Sequence, residues 1–153
     1  MGPLLALVGT TLLLIVVGRR RWHVALRGGL AVMFTMTATV HFVAYRDDLI
    51  AMVPPALPSP SLLVTVTGIL EFVGALGLLH RRTAGWAAAG LSLLLLAMLP
   101  ANIYAALEGL TLGGDPVTPL LPRILQQCLY LAATLAVLHT YRPLRTRHRA
   151  TVG

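Results

Sequence analysis

A single carboxylate, Glu71, lies inside a long apolar segment of the chain, LLVTVTGILEFVGALGLLH, residues 62–80. An imidazole, His41, lies near the end of the preceding apolar segment. A carboxyl group and an imidazole are a common pair for general acid–base catalysis, and both also hydrogen-bond the oxygen atoms of small ligands. We therefore take Glu71 as the candidate general acid and His41 as the candidate base.

Six further side chains with hydrogen-bonding groups lie in the apolar segments or at their ends. Their amide, phenol and guanidinium groups can hold the oxygen atoms of a ligand. The predicted ligand-binding residues are Asn102, Gln126, Gln127, Tyr130, Arg123 and Tyr45. Arg123, Gln127 and Tyr130 are spaced i, i+4 and i+7, so they share one face of a helix. For the three amides taken alone, the stronger alternative is interhelical hydrogen bonding, worth about 0.6 kcal/mol each.

Composition identifies the solvent around these groups. The chain has 153 residues, of which 57% are hydrophobic and 11% charged, and its mean hydropathy is +0.81. A soluble domain carries about 25% charged residues, so we predict an integral membrane protein that contacts the lipid bilayer. The single cysteine, Cys128, excludes an intramolecular disulfide, and no HExxH, Walker or nucleophile-elbow motif occurs. We predict no metal site and no cofactor evident in the chain itself.

Five apolar segments predict an all-α membrane bundle of five spans. The last four have the length that a helix needs to cross the hydrocarbon core. The first has 16 residues and is followed by arginines, whereas a cleaved signal peptide has basic residues before its apolar stretch. We therefore expect a retained helix. The segments are Pro3–Gly18, Gly28–Tyr45, Ser61–His80, Ala84–Leu107 and Leu120–Tyr141.

Arginine placement predicts the orientation. The net charge is +7 and all twelve basic residues are arginine. Ten of the twelve lie in the connection after segment one, in the connection after segment three, and after segment five. The positive-inside rule assigns that side to the cytoplasm, so the N-terminus is expected outside a cell membrane and the C-terminus inside. These short bursts lack the interleaved aromatics of a nucleic-acid surface, and we expect no nucleic-acid partner.

The polar groups within the spans collect at their outer ends and at the midplane. At about 1.5 Å of rise per residue, His41, Asn102 and Gln127 lie roughly 6 to 10 Å deep. Glu71 lies roughly 15 Å deep. Pro100, in the turn that also holds Asn102, breaks a helical hydrogen bond and kinks the axis. Such a break faces protein or a wet cavity, so we predict an outward-facing cavity floored by Glu71.

Glu71 is the most informative of these residues. A charged carboxylate at the bilayer centre costs at least about 2.5 kcal/mol, and intramembrane ionisable residues usually serve a function. A structural pair with His41 or with Arg123 is the alternative.

The order of motifs resembles the DoxX-like family of small bacterial integral membrane proteins. The motifs are HF at residues 41–42, VPPALP at 53–58, TGILEFVGALGLL at 67–79, LPANIYAAL at 99–107 and LPRILQQ at 121–127. The resemblance implies a four-helix core over residues 28–141, preceded by an extra helix and an arginine-rich loop at 1–27 and followed by a basic tail at 142–153. It also implies that His41, Glu71, Asn102 and Gln126 or Gln127 occupy the family's polar positions. Some relatives look like subunits of quinone-linked oxidoreductase systems.

Three functions are compatible with these residues. The first is a subunit of a membrane oxidoreductase system that binds a quinone or another apolar small molecule, with a soluble or membrane partner carrying the redox centre. The second is a self-contained membrane enzyme performing acid–base chemistry, such as isomerisation or cyclisation of an apolar substrate. The third is a non-catalytic assembly or cargo-binding protein. The sequence leaves open whether the protein is an enzyme.

Overall fold

The computed structural model describes residues 2–18 and 21–141. These residues form a mostly helical structure with one small antiparallel hairpin. The predicted basic tail at 142–153 and two arginines of the first loop, Arg19 and Arg20, lie outside the described residues. The elements are α1 (Gly2–Val16), α2 (Trp22–Val43), α3 (Arg46–Ala51), α4 (Pro60–Leu79), α5 (Ala84–Leu107), β1 (Thr111–Leu112), β2 (Asp115–Pro116) and α6 (Leu120–Thr140).

Four helices, α2, α4, α5 and α6, are long and apolar enough to cross a membrane. The predicted helical bundle is confirmed, and its four long helices are consistent, by length and composition, with the predicted multi-pass membrane protein. Helix α1 has 15 residues, which span roughly 22 Å against a hydrocarbon core of about 30 Å. A fifth span therefore stays a prediction.

The outer faces of the long helices carry large apolar side chains. Val73 on α4 is 58% exposed and Leu93 on α5 is 68% exposed. In water such faces would aggregate or bind a partner, whereas in a bilayer they meet acyl chains. The protein surface is thus consistent with contact with the lipid bilayer.

Helix α2 connects α1 to the other long helices. It packs against α1, α4 and α6, while α5 packs against α4 and α6, so the four long helices form a ring with α1 outside it. Small residues permit the closest approaches. A Cβ at Gly68 on α4 would lie 2.7 Å from the His41 Cβ, and a Cβ at Gly29 on α2 would overlap Thr11 on α1. The largest fully buried side chains are Phe34, Leu30, Met33, Leu78, Leu91, Val137 and Thr134.

Proline and glycine place the helix ends. Pro60 is the first residue of α4, where a missing amide hydrogen costs nothing because the first turn has no acceptor for it. Helix α5 ends at Leu107, and Gly109 follows with φ +61°, the left-handed conformation that glycine adopts most readily. The Leu110 amide then donates to the Ala105 carbonyl at 3.1 Å, as in a Schellman ending.

The connection after α2 differs from the sequence prediction, which extended the second apolar segment to Tyr45. Helix α2 ends at Val43, and Tyr45 takes a left-handed conformation (φ 56°) before the short helix α3. The tyrosine ring packs on Gly113 in the hairpin loop, where a Cβ would overlap the ring. Asp48 Oδ2 accepts a hydrogen bond of 2.7 Å from the Gly113 amide. These contacts with the hairpin explain why the chain leaves the helix early.

Arg46 joins the loop ends of α2 and α4. Its guanidinium donates to the His41 carbonyl at 3.1 Å, at the end of α2, where carbonyls lack an intrahelical partner. It also donates to the Thr65 hydroxyl at 2.7 Å and to the Ser61 hydroxyl at 3.2 Å, both on α4. The same arginine therefore fixes the segment that carries His41 against the helix that carries Glu71.

Candidate functional site

A cavity of about 280 Å³ lies between α2, α4, α5 and α6. Leu49 on α3, Met52 just after α3, Leu112 on β1 and Pro3 on α1 also line it. Most of the wall is apolar, and its methionine side chains come from α2, from α5 and from Met52. Seven of the eight predicted site residues line it: Glu71, His41, Asn102, Gln127, Tyr130, Arg123 and Tyr45.

The eighth residue, Gln126, is half-buried and lies outside this lining. Neighbouring residues on a helix point about 100° apart, and the rotation of α6 in the bundle places Gln127, not Gln126, in the lining.

His41 and Glu71 form one polar wall of the cavity. Both residues are buried, with 5% and 4% of their surface exposed. His41 Nδ1 lies 2.9 Å from the Thr37 carbonyl oxygen and 3.7 Å from Glu71 Oε2. The second distance exceeds that of a hydrogen bond, so the two side chains are electrostatic neighbours. Close packing of His41 on Gly68 brings them together.

Glu71 Oε2 has no hydrogen-bond partner among the described residues, although it is buried. Buried polar atoms are almost always paired with protein, water or a ligand. Glu71 also lines the cavity, so its carboxyl group lies next to any molecule bound there. This is the strongest sign that the cavity is a binding site.

The opposite wall is formed by α5 and α6. Arg123 Nη1 donates to Asn102 Oδ1 at 2.9 Å, and Asn102 Nδ2 donates to the Met98 carbonyl at 3.2 Å. The side-chain amide of Gln127 donates to the Leu95 carbonyl of α5. Arg123 thus pairs with an amide, and the alternative pair with Glu71 is not formed.

Pro100 lies inside α5 as predicted, just after the residues that carry these two carbonyls. Because proline has no amide hydrogen, the turn before it loses one helical hydrogen bond. Side chains from both α5 and α6 bond to carbonyls of this region. The wall therefore combines a proline-containing turn of α5 with a layer of amide and guanidinium groups.

Two parts of the site were missed from the sequence. One is the Thr37 carbonyl, which orients the His41 ring; a backbone atom has no sequence signal of its own. The other is α3 with the hairpin, which cover the cavity. Acidic residues in the first turn, Asp47 and Asp48, are a signal for the start of a helix that could have located α3. Among the described residues, no group of three side chains suited to a metal ion occurs.

Comparison of the sequence with known protein families identifies one family that matches this chain. We found no match among curated proteins and none among solved structures. The resemblance to the DoxX-like family is tested by neither result and stays a prediction. A family described as a domain of unknown function, DUF8561, matches residues 30–138. This range includes α4 and α5 completely, α2 from Leu30, α6 up to Leu138, and every residue that lines the cavity from these helices. The chain belongs to the DUF8561 family.

Proposed function

We propose that this protein is a multi-pass membrane protein whose cavity binds a small apolar molecule with an oxygen-bearing ring, such as a quinone, as a subunit of a membrane oxidoreductase system. The observation that carries the proposal is the buried and unpartnered Glu71 Oε2 on the cavity wall, 3.7 Å from the imidazole of His41.

The shape of the cavity supports a ring-sized ligand. Pockets for small molecules usually measure about 300 to 1,000 Å³ and are apolar with few polar groups. A volume of about 280 Å³ is at the lower end, which suits one substituted ring rather than a whole lipid. Met36 lines the cavity and is also 36% exposed. An apolar tail can therefore leave the cavity beside Met36 and continue in the bilayer.

The two polar walls support a ligand with oxygen atoms at both ends. Glu71 and His41 lie on the α2 and α4 side, while Arg123, Asn102 and Gln127 lie on the α5 and α6 side. A ring with oxygens at opposite positions can meet both walls at once. The polar groups then orient the ligand, and the methionine-rich surface supplies apolar contact.

The membrane arrangement is part of the proposal. The arginine pattern supports an outer N-terminus, a cytoplasmic C-terminus and insertion in the cell membrane. In this arrangement α1 is a short fifth span and the cavity opens toward the outer side. The DoxX-like resemblance supports a redox role. Because one cysteine cannot form a dithiol centre, a partner protein carries the electrons.

Mass spectrometry of the small molecules extracted from purified protein tests the proposal. Wild type is compared with Glu71→Gln and with Glu108→Gln, a control at the exposed end of α5. We expect a quinone or another defined ring compound in wild type and in the control, and its depletion in Glu71→Gln. The same phospholipids alone in all three preparations would refute a ligand role for Glu71.

A second candidate function is a self-contained acid–base enzyme. The proximity of Glu71 and His41 at one end of an apolar cavity favours it, since a carboxyl and an imidazole can donate and accept protons on one substrate. In this case the purified protein, in liposomes and without any partner, converts the extracted ligand to an isomer of equal mass, and Glu71→Gln abolishes the conversion. If the ligand is unchanged after incubation with wild type, the binding function is favoured.

A further inference from the structure

We infer that the ring bound in this cavity carries a hydroxyl group, so that the preferred ligand is a phenol or the reduced, hydroquinone form of a quinone. The inference rests on the proposed function, because it takes the cavity to be a site for an oxygen-bearing ring. It is carried by the hydrogen bond between His41 and the backbone of its own helix.

The backbone decides which nitrogen of His41 carries the proton. His41 Nδ1 lies 2.9 Å from the Thr37 carbonyl oxygen. A carbonyl oxygen only accepts hydrogen bonds, so Nδ1 is the donor. In a neutral imidazole the other nitrogen, Nε2, then has a free lone pair and only accepts. Nε2 has no hydrogen-bond partner among the residues that the structure describes.

The same wall presents a second acceptor. Glu71 Oε2 is buried without a partner, and a carboxyl group keeps acceptor capacity whether or not it is protonated. A quinone carbonyl beside His41 Nε2 would place two lone pairs against each other. A hydroxyl in that position donates its hydrogen to one of these atoms and removes the conflict. At His41 the α2 and α4 wall therefore favours a hydrogen-bond donor on the ligand.

The opposite wall presents hydrogen-bond donors, which belong to Arg123. Arg123 has five N–H donors and no acceptor, and one of its nitrogens is engaged by Asn102. The oxygen at the far end of the ring can accept from the remaining guanidinium hydrogens. A ring with a hydroxyl at one end and any oxygen at the other satisfies both His41 Nε2 and Arg123, whereas a quinone carbonyl leaves His41 Nε2 unpaired.

A matched ligand series tests the inference on the full-length protein in detergent. The probes are trimethylhydroquinone, the corresponding trimethylbenzoquinone and the dimethyl ether of the hydroquinone, each titrated calorimetrically under argon. Leaving a buried polar group unpaired costs about 1–3 kcal/mol, equivalent to roughly 5- to 150-fold in affinity. We expect the hydroquinone to bind wild type at least about tenfold more tightly than the other two probes.

Two variants locate the effect. In His41→Phe, which keeps a ring but removes the acceptor, the three probes should bind within about threefold of one another. In His139→Phe, at an exposed position of α6, the preference for the hydroquinone should persist. If His41→Phe does not fold, the relative affinities of the three probes for wild type test the inference by themselves.

Each result has a distinct meaning. Equal or tighter binding of the benzoquinone to wild type would overturn the hydroxyl inference and leave the proposed function standing. Absence of binding by all three probes would count against the proposed function and remove the inference with it.

Discussion

The replacement Glu71→Leu separates binding from stability. Glu71 is 4% exposed, and its Oε2 has no protein partner among the described residues. A buried polar group left unsatisfied costs about 1–3 kcal/mol. Leucine fills a similar space without a polar atom, so the ligand-free variant should be more stable than wild type by about that amount. At 2–4 °C per kcal/mol for a chain of this size, its melting temperature should rise by roughly 2 to 12 °C.

Thermal unfolding in detergent, followed by far-ultraviolet circular dichroism after removal of bound ligand, measures the change. Glu71→Gln keeps a buried polar group and should shift stability by less than about 1 kcal/mol. Thr134→Val is the matched control, because its hydroxyl is buried but satisfied. It accepts from Ser92 at 2.8 Å and donates to the Leu131 carbonyl at 2.9 Å. This control should lose about 1 kcal/mol, the opposite sign from Glu71→Leu.

A loss of stability in Glu71→Leu would refute the reasoning. It would mean that the carboxyl makes a favourable structural contact with His41 or Thr37 that exceeds its cost of burial. Glu71 would then be a structural residue. A gain in stability together with loss of the extracted ligand is the combination expected of a binding group that the fold tolerates.

Three further predictions concern packing, the covering segment and orientation. Gly68→Ala should lower the free energy of unfolding by about 1–3 kcal/mol, because the added Cβ would lie 2.7 Å from the His41 Cβ. Gly90→Ala is the control and should not destabilise the protein, because no atom lies within 4 Å of its added Cβ. Equal melting temperatures for the two variants would contradict this prediction. Asp48→Ala removes the 2.7 Å hydrogen bond that Asp48 accepts from the Gly113 amide, so hydrogen exchange of the α3 amides should accelerate. Unchanged exchange would show that other contacts hold α3. A phosphatase and a fluorescent reporter fused after α6 should give fluorescence without phosphatase activity, and the reverse pattern would invert the proposed orientation.

Much of the architecture was predictable because lipid imposes a simple rule on sequence. A spanning helix requires about 20 apolar residues, so the ends of the four long helices were predicted within two residues, except that α2 begins at Trp22, six residues before the predicted Gly28. The same rule makes polar residues conspicuous. Glu71, His41 and Arg123 stand out in apolar segments, and the structure brings all three to one cavity. Pro100 was likewise placed inside the fourth apolar segment, and it lies inside α5.

What the sequence left undecided depends on rotation and on contacts between distant segments. Hydropathy does not fix the rotation of α6, which turns Gln127 rather than Gln126 toward the cavity. Helix α3 and the hairpin are too short to have a strong periodic signal, and they are held by tertiary contacts such as Asp48 with Gly113.

The sequence thus determined by itself that this chain forms long apolar helices, suited in length to a bilayer, that carry a few polar groups. Only the tertiary structure decided which of those groups face one another. The proton position on His41 follows from a distance between two atoms, and that distance is set by packing that no single segment encodes.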